Sequence, residues 1–98
     1  MARFLIEVPH AATTEECALA VQTLLKTGSH FLTHADWGCS DGVHKGWIIV
    51  NVDNREEARN ILPPAYRSRA IIVALSKFTV EEMDAILAHH RSQATRLN

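Results

Sequence analysis

The chain has 98 residues, a formal net charge of −1, and is 47% hydrophobic and 21% charged. These values describe one soluble globular domain with a modest core. The balance lacks the basic stripe of a nucleic-acid binder, and no apolar run approaches the roughly 18 residues of a membrane span. Two cysteines, Cys17 and Cys39, are too few for a disulfide scaffold. They read as free thiols of a reducing compartment, so the expected location is cytoplasmic.

Residues 3–8 alternate, with Phe4, Ile6 and Val8 on one face and Arg3, Leu5 and Glu7 on the other. That period of two predicts a strand, ended by Pro9, and not a signal peptide. Residues 13–26 predict a helix. Thr13 and Glu16 form a capping box, and Cys17, Val21 and Leu24, with Ala18 and Leu25, recur at helical spacing. Gly28 stops the helix. Residues 30–37 and 44–52 are rich in β-branched and aromatic side chains. The turn chemistry of residues 38–42 joins them into a hairpin. A second helix spans 53–62, capped by Asp53 or Asn54 and stopped by Pro63-Pro64. Residues 66–69 form a loop and 70–78 a nearly all-apolar fourth strand. Thr79 and Glu82 open a third helix that runs to about His90, and the tail 91–98 is expected to fray.

The order βαββαβ plus a C-terminal helix predicts an α+β, ferredoxin-like fold. It is a single domain over residues 1–98, with a four-stranded antiparallel sheet and helices on one face. Setting Gly38 opposite Val43 places His34 opposite Trp47, Asp36 opposite Lys45, and His30 opposite Asn51. Ile71, Val73 and Leu75 are assigned to the helix face. The open face then carries Leu5, Leu32, Trp47, Ile49, Ile72 and Ala74. A half-apolar face of this kind is expected to be covered by a second subunit.

Element order, element lengths and two segments, TGSHFLTHADW and WIIVNVDNREEARNILPP, resemble the dimeric α+β barrel superfamily. That superfamily includes YCII-related proteins, muconolactone isomerases and antibiotic-biosynthesis monooxygenases. The resemblance covers nearly the whole chain. It implies a homodimer whose sheets enclose a pocket for a small organic or aromatic molecule. It does not imply one reaction; an enzyme of this kind would be isomerase-like or like a cofactor-independent monooxygenase. No subfamily motif is present, so no family catalytic residue is carried over.

The topology gathers His10, Asp36, Cys39, Asp41, His44, Lys45, Tyr66, Arg67 and Arg69 at one end of the sheet, with His34, Glu7 and Trp47 deeper on the open face. His34, with Asp36 or Glu7 as its carboxylate partner beneath Trp47, suits general acid/base work, because histidine titrates near neutrality. Trp47, His10, His44, Lys45, Tyr66, Arg67 and Arg69 are the ligand-binding candidates, the cations suiting an anionic ligand. Blander readings stand beside these. His34 suits a subunit interface, Arg67 and Arg69 suit solvated loop charges, and Tyr66 and Cys17 suit packing. His89 and His90 suit a helix surface. Cys39 reads as an exposed turn thiol with His44 as the base nearest in sequence.

Metal binding is weighed by spacing. On a strand His30 and His34 lie roughly 13 Å apart, too far for one ion, whereas His34 and Asp36 at about 6.6 Å are within reach of each other. A third ligand would have to be His10, His44 or Glu7. Strong metal signatures and Gly-rich phosphate loops are lacking, so no metal, nucleotide or other cofactor is assigned. The alternative to a small-molecule enzyme is a non-catalytic ligand-binding or metal-binding module.

Overall fold

A computed structural model of the chain describes residues 1–97. The fold is α+β with a four-stranded antiparallel sheet, in the ferredoxin-like arrangement with a C-terminal helix. Its strands are β1 (Ala2–Pro9), β2 (Asp36–Trp37), β3 (Lys45–Val52) and β4 (Ile71–Ala74), in the order β2-β3-β1-β4. Its helices are α1 (Thr14–Lys26), α2 (Arg55–Asn60), α3 (Pro64–Arg67) and α4 (Val80–Leu97).

The predicted caps form. Thr13 Oγ1 accepts from Glu16 N–H at 3.1 Å, and Asn54 Oδ1 accepts from Glu57 N–H at 2.8 Å. At the last helix Thr79 Oγ1 accepts from Glu82 N–H at 3.1 Å. Each bond satisfies an orphan donor of a first turn. Gly28 takes the left-handed φ of 71° that ends α1.

Alternation along β1 and β3 sets the core. Phe4, Ile6 and Val8 of β1 and Ile48, Val50 and Val52 of β3 are buried with Leu24 of α1 and Ala58 of α2. Leu32, Leu62, Ala70 and Ile72 complete this cluster, with Trp37 and Tyr66 packed against it.

Five expectations are corrected. Residues 30–35 are not strand: Leu32–His34 form a 3-10 turn, and β2 is only Asp36–Trp37. Thr33 Oγ1 donates to the Ser29 carbonyl at 3.1 Å, and His34 Nδ1 to the His30 carbonyl at 2.7 Å. These local bonds offer the backbone an alternative to the ladder. The hairpin register shifts by two as a result, so Asp36 lies opposite Trp47 and Trp37 opposite Gly46. In β4 the faces are exchanged. Ile72 pairs with Ile6 and is buried, whereas Ile71 and Val73 are exposed on the open face. Finally, the segment expected to be a loop at 66–69 begins inside the short helix α3, and α4 continues past His90 to Leu97. Asn98, the end of the expected frayed tail, lies outside the described residues.

Two glycines let the β2–β3 hairpin close. A Cβ at Gly46 would stand 2.7 Å from the Trp37 ring. One at Gly38 would stand 2.8 Å from the Val43 carbonyl oxygen and 2.9 Å from the Trp47 ring. Each tryptophan therefore lies over a glycine of the facing segment. Gly38→Ala is expected to destabilise the fold by about 1–3 kcal/mol, because the clash involves backbone as well as ring. Thermal unfolding checks this, at roughly 4–8 °C per kcal/mol for a domain of this size; an unchanged midpoint would show that the hairpin yields freely.

Candidate functional site

Two groups of polar side chains emerge at one end of the sheet, on opposite faces. The first lies on the open face. Glu7 of β1 is opposite Trp47 of β3 on one side and Ile71 of β4 on the other. Trp47 Nε1 donates to Glu7 Oε1 at 3.0 Å, and Lys45 Nζ lies 3.6 Å from Glu7 Oε2. Asp36 stands across from Trp47 and is exposed. Leu5, opposite both Ile49 and Val73, continues the face with apolar groups. The carboxylate of Glu7 is thus fixed by one neutral donor and one cation, with apolar neighbours along the strand.

His34 does not join this group. It sits in the 3-10 turn, exposed, with its Nδ1 bonded to the His30 carbonyl. The turn also brings His30 and His34 within 4.8 Å between ring centroids, where strand geometry put them roughly 13 Å apart. Together they line a cavity of about 300 Å³ beside Ile49 and Asn51, at the edge of β3 that β2 leaves unpaired.

The cationic candidates are largely engaged elsewhere. Arg67 Nε donates to the Leu62 carbonyl at 2.8 Å and its guanidinium also reaches the Asn60 carbonyl at 3.2 Å. It thereby satisfies carbonyls left over at the end of α2. Arg69 is exposed in the turn before β4, and Tyr66 packs against the core.

The second group lies on the helix-covered side. His10 follows β1 directly, and its N–H donates to the His44 carbonyl at 3.1 Å, extending the β1–β3 pairing one step beyond Pro9 opposite Lys45. The pleat puts His44 on the same side as Gly46 and Ile48, toward the helices. The two imidazole rings meet edge to face at 5.7 Å, and Trp37 stands 5.9 Å from His10. Cys39, from the 3-10 turn Cys39–Asp41, places Sγ 3.2 Å from His10 Nε2. It is half-buried, not the exposed turn thiol expected from its glycine neighbours. One ligand atom from each of His10, Cys39 and His44 lies within 4.8 Å of the others. Cys17 of α1, assigned to packing by its helical spacing, lines the same cavity of about 340 Å³ as Cys39 and His44.

Burial, and then the neighbouring His44, lower the His10 pKa, against a smaller opposing pull from Glu16. Burial, and then a hydrogen bond with Cys17, push the Cys39 thiol up. His10 Nδ1 and His44 Nδ1 are both buried without a hydrogen-bond partner. Strand topology brings these residues to one end of the sheet, but sequence separation hid their contact: they come from a strand end, a turn and the start of the next strand. Its visible trace was His10 and His44 at the two ends of facing strands.

No protein-family model, curated protein or solved structure matches the chain.

The indole donor to Glu7 is open to direct test. Trp47→Phe removes the bond to the half-buried carboxylate and, with it, the outer indole atoms Cζ3 and Cη2 that lie over Gly38. The expected cost is about 1.5–3 kcal/mol, the range for a bond to a charged group. Denaturant unfolding measures it, and His34→Ala in the same assay is expected to stay within about 0.5 kcal/mol of wild type, as for an exposed surface residue.

Proposed function

We propose that this chain forms a homodimer of the dimeric α+β barrel kind and binds a small organic molecule between its paired open sheet faces. Glu7 takes the acid/base position that the sequence alone gave to His34. The supporting observation is the open face itself: Ile49, Ile71 and Val73 are 52%, 51% and 41% exposed around the bonded group of Glu7, Trp47 and Lys45. A contiguous apolar surface rimmed by polar residues favours burial against a partner. Pairing two such faces would leave Glu7 in a partly apolar chamber, where a carboxylate can exchange protons with a bound molecule. Lys45, 43% exposed, is available to an anionic group, and the Trp47 ring to an aromatic one.

A further feature supports assembly. Among residues 80–93 of α4 every residue but Met83 is exposed. Val80, Ile86 and Leu87 are exposed apolar residues on this helix. A helix of this length draws most of its stability from tertiary packing of an apolar face. A second copy would supply that packing.

In solution the protein is expected at about 22 kDa, twice the 10.9 kDa of one chain. Val73→Asp and Ile49→Asp are expected to shift it to the monomer. Sedimentation equilibrium decides the point, and a wild-type monomer at micromolar concentration would defeat the reading. For the pocket, the aromatic anion anilinonaphthalene sulfonate is the probe. Saturable fluorescence enhancement by the dimer, weakened about tenfold by Lys45→Ala (one ion-assisted contact, ~1.4 kcal/mol), is expected. Equal enhancement by dimer and Val73→Asp monomer would remove the interfacial pocket.

A further inference from the structure

We propose that His10, Cys39 and His44 form a binding site for a borderline-soft divalent metal ion of the zinc class, on the face of the sheet away from the proposed ligand chamber. Three observations carry it. The first is convergence: three ligand atoms, two imidazole nitrogens and one thiol sulfur, lie within 4.8 Å of one another. Tetrahedral zinc with bonds of about 2.0–2.1 Å to nitrogen and 2.3 Å to sulfur sets its ligand atoms roughly 3.3–3.8 Å apart. The Cys39 Sγ to His10 Nε2 separation of 3.2 Å is already close to that, so only a modest contraction of the rest is required.

The second is the condition of the imidazoles. Both keep a buried Nδ1 without a partner. Unsatisfied buried polar atoms are rare and costly, and coordination through Nδ1 would give His44 the partner it lacks, while His10 meets Cys39 through Nε2. A Cys–His nucleophilic pair would also explain the 3.2 Å contact, but such a base needs a third group to orient its ring. His10 Nδ1 has none. An ion bound by the imidazole would itself orient the ring, and zinc deprotonates a coordinating thiol outright.

The third is rigidity. His10 and His44 are held face to face by the backbone bond from His10 N–H to the His44 carbonyl. Cys39 is fixed by a turn in which Gly42, at φ 79°, donates its N–H to the Cys39 carbonyl at 3.1 Å. The ligands therefore sit on constrained backbone and not on long free loops, as a preorganised site requires. Cys39 and His44 also line a cavity bordered by Thr13, Cys17 and Ser40.

Reduced full-length protein is titrated with Zn²⁺ against a competing chromophoric chelator, and with Co²⁺ in parallel. One equivalent per chain is expected, and Co²⁺ is expected to show tetrahedral absorption with a near-ultraviolet thiolate charge-transfer band. Cys39→Ser should abolish that band. Cys39→Ser, His10→Gln and His44→Gln should each weaken Zn²⁺ by more than about 100-fold, beyond the 10–100-fold of outer-shell changes. Far-ultraviolet circular dichroism verifies that each variant folds. His30→Ala/His34→Ala, which removes the other close histidine pair, should bind as wild type does. Absence of saturable Zn²⁺ binding by reduced wild-type protein overturns the proposal without reference to any variant. So does binding that survives all three ligand changes or is lost with His30 and His34.

Discussion

Backbone pairing holds Glu7 opposite Trp47 and Pro9 opposite Lys45, and carries on to the bond between His10 N–H and the His44 carbonyl. This one register assigns every polar group of interest to a face. Odd positions of β1 and β3 (Leu5, Glu7, Trp47, Ile49) point to the open side, and even ones (Ile6, Val8, Ile48, Val50) point to the helices. A slip by one residue would bury Glu7 under α1 and α2 and push Ile6 and Ile48 into solvent. Six apolar side chains of these two strands are in the core on this register. It is therefore strongly specified, and the positions of Glu7 and His44 follow from core packing, not from any local preference of their own.

That dependence explains what could be read from residues alone. The faces of β1 and β3 were legible because their apolar positions alternate, and the three N-caps were legible because Thr13, Asn54 and Thr79 each precede a glutamate by three. The faces of β4 were not. Residues 70–75 are apolar throughout, so no alternation marks the buried side. The choice is made by Ile6, whose pairing with Ile72 takes it into the core. Residues 30–35 misled for a different reason. Phe31, Leu32 and Thr33 suit a strand by composition, but Thr33 and His34 bond back to carbonyls at positions 29 and 30. Leu32 alone then serves as the buried anchor. The spacing argument against His30 and His34 failed with the strand it assumed. Topology puts Cys39 and His10 at the same end of the sheet, but their contact across 29 residues was not legible, because the turn geometry of residues 39–42 aims the thiol at β1.

The two tryptophans divide the labour between faces. Trp37 lies over Gly46 on the covered side, walls His10, and packs against the core. Trp47 lies over Gly38 on the open side and fixes Glu7. Each ring occupies space that a glycine on the facing segment leaves free. The hairpin thus places one large aromatic on each side of a two-residue strand. With only Asp36 and Trp37 paired to β3, β2 has little ladder of its own. Ring-on-glycine contact accounts for much of its attachment to the sheet.

Placement on opposite faces also separates the consequences of the two proposals. Covering the open face with a second copy would desolvate Glu7 and Trp47, whereas His10, Cys39 and His44 would remain on the helix side, outside that interface. An ion there would tie the end of β1 to the turn after β2 and to the start of β3, the three segments that the Trp37 and Trp47 contacts already draw together. Binding to the folded chain alone stabilises it in proportion to the logarithm of free metal over the dissociation constant. The ion would thus steady the short hairpin strand from behind and leave the open face free for the proposed partner and ligand.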